Sequence, residues 1–200
     1  CALPISMVNT RRIGGQARQP INPDNLSISQ RQLLQPADLF GAVKVNGQSG
    51  QLRYGFLGAA EKTTKFDAFA NDASGALLDE NLRSEGSDYG IARVLYESNK
   101  GGGYKALGAL ATAVLNEQGD ALAQGVDWHY LSNGGGLSMD GQVFTSDIDG
   151  EERGYGGFLD FEFTPKRGKR IRLGLEYMDR HVDINDLGFL GRNDRYRVRA

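Results

Sequence analysis

Cysteine is almost missing from this chain of 200 residues. The single Cys1 excludes a disulfide framework and a cysteine-ligated zinc cluster. The two histidines, His129 and His181, have no metal-ligand spacing, and no cofactor is implied. No stretch reaches the roughly 18 consecutive apolar residues of a membrane-spanning helix. Neither sign of charge dominates: Lys plus Arg is 23 and Asp plus Glu is 25, so nothing here pulls toward nucleic acid. Nor is the chain charged enough for its size to be disordered by composition. Prolines number only 5, of which Pro20, Pro23, Pro36 and Pro165 fall in loops or turns and only Pro4 touches a candidate strand. No basic segment followed by an apolar run opens the chain, so no signal peptide is visible. Residues 196–200 read as a strand just begun. The expectation is a piece of a longer protein, or a mature form with its ends removed. An arbitrary start is preferred for Cys1 over a lipid-bearing cysteine.

Glycine is what the chain has in excess. Its 28 residues are about twice ordinary usage, and without a G-X-Y period they exclude collagen and mark turns. Between the turns the hydrophobic period is that of strands. Four hairpins are expected: 39–46 with 51–61, 88–97 with 103–116, 121–131 with 137–148, and 154–164 with 170–180. Asn46-Gly47 supplies the first turn signal. A partial strand is expected at 2–8 and another from about 195. Residues 26–35 read as an irregular loop in preference to a short helix. The expected fold is all-β: an antiparallel up-and-down meander of about 8–10 long strands, part or all of a transmembrane β-barrel. It forms one unit over 1–200, with a lead-in strand and loop at 1–38, four hairpins at 39–180, and a loop and further strand at 181–200.

Strands of about ten residues exceed the usual globular length and match the nine to eleven that a membrane-spanning strand needs. The alternation is clean. Leu122, Val126, Leu159, Phe161, Leu173 and Leu175 fall on one face. Asp127, His129, Asp140, Asp160, Glu162, Arg172 and Glu176 fall on the other, in a row broken by Phe144. Alternation alone does not say which face meets what. Apolar-in is a soluble sandwich or lipocalin-like barrel, and apolar-out is a membrane barrel. Three features favour the second: strand length, loops at 9–38, 62–87 and 181–194 that outgrow the turns of the opposite end, and aromatics near strand ends. Tyr89 and Tyr96 have opposite parity, so one of them cannot face lipid. The apolar side chains of 181–194 predict a loop folded inward, and the polar 62–87, with its turn word at 71–75, predicts an open one.

The polar row holds the candidate chemistry. Asp160 and Glu162 are paired as acid–base catalysts of sugar hydrolysis would be; a solvated lumen wall or a salt-bridge ladder is preferred. No residue is assigned as catalytic or metal-binding. Asp147-Ile148-Asp149-Gly150-Glu151-Glu152 lacks the full calcium-loop pattern, so a plain acidic loop is preferred. The glycine runs at 101–103 and 134–136 do not join a strand to a helix, so they are turns and not phosphate cradles.

Particular words also stand out. They are R-R-I-G at 11–14, G-A-V-K-V-N-G at 41–47, G-F-L-G-A-A at 55–60, G-V-D-W at 125–128, and D-I-N-D-L-G-F-L at 183–190 followed by Arg192-Asn193-Asp194. In this order and spacing they resemble a bacterial family of unassigned function. Its members carry a family-nine-like carbohydrate-binding domain and then a large outer-membrane β-barrel. N-D-L-G-F-L is the most specific word and R-R-I-G the next. The resemblance covers about 9–200, wholly within the barrel part. The carbohydrate-binding domain is absent here, and the chain stops before the family's remaining strands. Gly15 stands where the family has a further basic residue.

The resemblance implies a location in the bacterial outer membrane, with the lipid bilayer as partner and a saccharide or peptide as ligand. Arg11, Arg12, Asn185, Asp186 and Gly188 are its word residues, expected to shape loops: Asn185-Asp186 by a side-chain-to-backbone turn, Gly188 by a positive φ. The leading expectation is a non-enzymatic barrel segment in passage or surface binding of a nutrient. A soluble all-β carbohydrate-binding module stands second, and a sugar-acting hydrolase third.

Overall fold

The computed structural model describes residues 5–20, 26–70, 77–166 and 168–200. In chain order its elements are β1 (Ile5–Ser6), a 3-10 turn (Thr10–Arg12), β2 (Leu26–Ile28), the single-turn α1 (Gln30–Leu33), β3 (Leu39–Ser49), β4 (Leu52–Glu61), β5 (Thr64–Ala70), β6 (Leu77–Ser84), β7 (Asp88–Ser98), β8 (Tyr104–Leu115), β9 (Ala121–Leu131), β10 (Leu137–Ile148), β11 (Gly154–Lys166), β12 (Lys169–Met178), β13 (Phe189–Leu190) and β14 (Arg195–Arg199). The chain is all-β. Nine strands form one antiparallel sheet in the order β14-β12-β11-β10-β9-β8-β7-β4-β3. The sheet is open, with β3 and β14 as its edges. No helix among the described residues is long and apolar enough to cross a membrane, which says nothing of strands.

The eight expected long strands all form, and the alternation explains why. Along one register row the outer face reads Gly47, Tyr54, Val94, Ala109, Val126, Val143, Gly157, Tyr177, Tyr196, crossing all nine strands without a charge. The adjacent row reads Gln48, Arg53, Leu95, Gly108, Asp127, Gln142, Phe158, Glu176, Arg197. The apolar row is the uncovered one: Val126 is 42% exposed and Val143 53%, against 6% for Asp127 and 4% for Glu176. Tyr96 belongs to the open face, while Tyr89 turns inward and donates its hydroxyl to Glu61 at 3.0 Å.

The first turn is not at Asn46-Gly47. Ser49 pairs with Leu52, so the chain reverses at Gly50-Gln51, where Gly50 has φ +59°. Gly47 lies within β3, where a Cβ would stand 2.2 Å from the ring of Tyr54, its cross-strand partner. Trp128 covers Gly141 on the same face in the same way. These glycines make room for rings, as aromatic–glycine pairs do in designed sheets.

Two further expectations change. Residues 62–87 are not an open loop: β5 and β6 form a hairpin that joins β2 in a separate three-stranded sheet. Phe66, fully buried, anchors it to Ala17 and Ala37, with Ile28, Leu33 and Leu82 around them. Gln32 clamps the strand from the other side, donating to Asp67 Oδ2 at 2.6 Å and accepting its amide at 3.1 Å. Segment 26–35 is therefore ordered as β2 and α1, and not irregular. The turn word at 71–75 lies outside the described residues, as do Cys1, Pro4, Pro23 and Arg167.

The inner face is filled at the end of the long connections. Segment 182–190 folds onto it, and β1 pairs with β13 beneath the sheet. Met7, Val182, Ile184 and Leu190 meet Ala123, Phe144 and Met178 in one buried cluster. Leu187 meets Ile91 and Val114 in a second, flanked by Val8 and Ile13. Phe144, the apolar break in the polar row, is thus the floor on which this plug rests.

Candidate functional site

Beyond the plug the inner wall is polar, and most of its charges are paired in a ladder. Arg93 of β7 grips Asp127 of β9 with both guanidinium arms, the longer contact at 2.7 Å. Gly108, between them on β8, leaves the gap they occupy: a Cβ there would lie 2.6 Å from Arg93 Nη2 and 2.9 Å from the Asp127 carboxylate. His129 continues the chain, its Nε2 3.2 Å from Asp127 Oδ2 and its Nδ1 2.7 Å from Asp140 Oδ1. Further across, Glu162 takes Arg170 Nε at 3.1 Å and Arg172 Nε at 2.7 Å. Glu176 is held by Arg195 and lies 3.7 Å from Arg199. At the short-turn end Arg53 meets Glu97 at 2.8 Å, and Tyr104 donates to the same carboxylate at 3.2 Å.

All seven polar-row residues, Asp127, His129, Asp140, Asp160, Glu162, Arg172 and Glu176, lie on this one wall. The structure divides them. Asp127 and Glu176 are buried in ion pairs, Asp127 tying β9 to β7 across β8 and Glu176 tying β12 to its neighbour β14. A lumen wall wet along its whole length would tolerate arginine at Glu176. Burial beside Arg195 and Arg199 reverses this, because a third cation would sit against two. Glu162 presents oxygens already taken by two arginines, which weakens its pairing with Asp160 as a hydrolytic couple. Asp140, Asp160, Glu162 and Arg172, with Ser138 and Arg199, line a cavity of about 610 Å³ on the inner wall. Among the described residues, no group of three or more His, Cys, Asp and Glu side chains is placed to hold a metal ion.

The family-word residues lie by the plug. Arg11 and Arg12 are exposed in the 3-10 turn, which Asn9 caps by accepting the Arg11 amide at 3.3 Å. Asn185 accepts the Leu190 amide at 2.9 Å and donates its own backbone amide to Asp183 Oδ1 at 2.8 Å, so the two-residue side-chain-to-backbone turn here is made by Asp183. Asp186 pairs with Arg18 at 2.5 Å, tying the loop to the lead-in segment. Gly188 does not have a positive φ; its amide donates to the Ile184 carbonyl at 2.7 Å. The acidic loop at 147–152 gives up Asp147 to Arg153, an internal ion pair.

Arg93, Arg195 and Arg199 are the site residues that sequence reasoning passed over. Parity was the available signal for Arg93, which shares a face with Ile91 and Leu95 on a strand two away from Asp127. For the other two the signal was the alternation Arg195-Tyr196-Arg197-Val198-Arg199, which puts three arginines on one face.

The family DUF5916, a domain of unknown function, matches residues 6–200, and the chain belongs to that family. No curated protein and no solved structure matches it.

Proposed function

We propose that this DUF5916 chain is a segment of an outer-membrane β-barrel, non-enzymatic, serving in the passage or surface binding of a nutrient such as a saccharide or peptide. One observation carries the reading: the sheet leaves its apolar face open, while the plug and the ion-pair ladder occupy the charged one. In water an open face of valine, leucine and tyrosine across nine strands is an aggregation liability, whereas a bilayer is its natural solvent. The long strands have 10 to 13 residues. At about 3.3 Å per residue and a tilt near 40° even the shortest spans about 25 Å, the height of a barrel's apolar band.

Exposed rings support it further. Tyr54, Tyr96 and Phe163 lie toward the short turns, and Tyr155 and Tyr177 toward the long connections, in two bands as at membrane interfaces. A soluble carbohydrate-binding module with its apolar face inside requires the reverse burial. The charged inner wall and the plug suit a lumen whose contents are selected. The saccharide or peptide ligand extends the family resemblance and the polarity of the wall.

Fractionation of the native full-length protein tests the reading. It should be recovered with the outer membrane, be released only by detergent, and migrate differently on gels before and after boiling. A stable monomer in buffer without detergent would refute it.

A further inference from the structure

The short-turn end carries four lysines, Lys100, Lys105, Lys166 and Lys169. All are exposed, and none is in an ion pair among the described residues. The arginines of the same end are already engaged: Arg53 holds Glu97, and Arg170 and Arg172 hold Glu162. Both carboxylates belong to the inner wall, Glu97 in one register row with Ala106 and His129, and Glu162 opposite Ser138. Three of the lysines lie with the uncovered apolar face. Lys105 pairs with Tyr130, in line with Leu107 and Ala109, and its Nζ stands 5.9 Å from the centre of the tyrosine ring. Lys166 and Lys169 pair directly across the β11–β12 turn, beyond a register shift that follows Phe163. Lys169 shares its face with Ile171 and Leu173, both exposed.

Like charges directly opposite on a sheet repel. The chain nevertheless sets Lys166 against Lys169 with no carboxylate of the described residues in ion-pair reach, so the compensating anion comes from outside. The other end of the sheet has the opposite sign: connections 116–120 and 147–153 hold six carboxylates against Arg153 alone. An anion is therefore drawn to one end and repelled from the other. The surroundings of the lysines narrow its chemistry. Phe163 and Ile171 beside the pair, and Leu107 beside Lys105, are open apolar surface. A soluble anion uses the charges and leaves that surface wet, and a neutral lipid covers the surface and leaves the charges unmet. An anionic amphiphile satisfies both, with lysine stems lying along the apolar face and their ammonium groups at the headgroup level. Lys105 on β8 and Lys166 on β11 are three strand spacings apart, about 14 Å, so they serve separate headgroups.

We infer that the short-turn rim binds anionic phospholipids, one phosphate on Lys166 and Lys169 and another on Lys105, with the acyl chains along the open apolar face. The inference rests on the membrane reading above and deepens it by naming the charge of the lipid at one end. Short turns mark the periplasmic side of such barrels, so these lipids belong to that leaflet.

The test is calorimetric titration of the full chain, held in an uncharged detergent, with dihexanoyl phosphatidylglycerol, dihexanoyl phosphatidylcholine and glycerol 3-phosphate. One lysine near an anionic lipid surface strengthens binding about fivefold, so the pair should favour phosphatidylglycerol over phosphatidylcholine by about tenfold or more. The gap should close in about 1 M salt, where charges are screened beyond about 3 Å. Glycerol 3-phosphate, which lacks the chains, should bind about tenfold more weakly than phosphatidylglycerol. The double change Lys166→Gln and Lys169→Gln should weaken phosphatidylglycerol about tenfold, and Lys105→Gln should reduce the number of lipids bound, with circular dichroism unchanged in both. Lys44→Gln is the control. That lysine is exposed but opposes Leu57, which packs against the plug side, and its change should leave the titration as it was. Equal binding of the two lipids, glycerol 3-phosphate as tight as the lipid, or indifference to the double change would each overturn the inference. Assembly into phosphatidylcholine vesicles is measured separately. Lysine-dependent lipid binding without assembly sinks the barrel reading alone, and assembly with indifferent binding sinks this inference alone.

Discussion

Arginine at Leu173 separates a lipid-facing sheet from a water-facing one. Leu173 is the fifth residue of the ten-residue β12, so it stands at mid-height on the uncovered face, 37% exposed. In water, replacing a surface leucine away from any special feature shifts stability by no more than about 0.5 kcal/mol. At a bilayer midplane the same arginine costs about 2–4 kcal/mol. The two environments thus differ by at least about 1.5 kcal/mol, more than tenfold in the folding equilibrium. Ser138 on β10 is the matched control, since it lies on the inner wall beside Asp140 and Glu162, where added positive charge meets carboxylates. The assay is reversible folding of the full chain into phospholipid vesicles under a urea gradient, read by Trp128 fluorescence. Leu173→Arg should lower stability by about 2–4 kcal/mol and Ser138→Arg by less than about 1 kcal/mol. Equal costs at the two positions would refute the assignment of faces.

Glu176→Gln keeps the shape of a buried side chain but leaves Arg195 and Arg199 without their carboxylate, and should cost about 3–5 kcal/mol in a denaturant titration; a loss under about 1 kcal/mol would show the ion pair to be dispensable. Gly141→Ala puts a methyl group 2.2 Å from the Trp128 ring, so the indole must move. Stability should fall by about 1–3 kcal/mol and the emission of the chain's one tryptophan should shift; an unchanged spectrum would contradict the pairing. Leu187→Ala empties a site 2% exposed against Ile91 and Val114 and should cost about 2–5 kcal/mol. Limited proteolysis of the native protein should spare 182–190, and early cleavage there would show that the plug is not seated.

The long strands were legible because period-2 alternation runs through most of their length, and because one-residue slips would exchange the faces. The residues of the polar wall were legible for the same reason. What escaped has a physical cause in each instance. Asn46-Gly47 is a strong turn word, yet Tyr54 needs a partner without a side chain and Gly50 serves the turn as well. The hairpin of β5 and β6 shifts register between Asp67 and Ala68, so its alternation breaks in the middle. Gln32 and Asp67, whose clamp helps to order it, are 35 residues apart in sequence. Phe144 reads as a flaw in the polar row because the plug that covers it comes from both ends of the chain. Alternation assigns a residue to a wall but not to a partner, so Asp127 and Asp160 read alike although one is gripped by Arg93 and the other has no partner among the described residues.

The union of β1 with β13 has a consequence for the order of folding. Ile5 and Leu190 are about 185 positions apart, whereas most ladders of the large sheet join neighbours along the chain. On the logarithmic law for chain closure, bringing such distant segments together costs about 2–3 kcal/mol more than closing a ten-residue hairpin. Two strands of two residues each cannot offset this until Ala123, Phe144 and Met178 already form a surface to receive them. The wall must therefore assemble first and its plug arrive last. A chain halted before that step would already hold its lattice of strands but would leave bare the inner face on which the plug rests, so the same sequence passes through an uncovered state each time it folds.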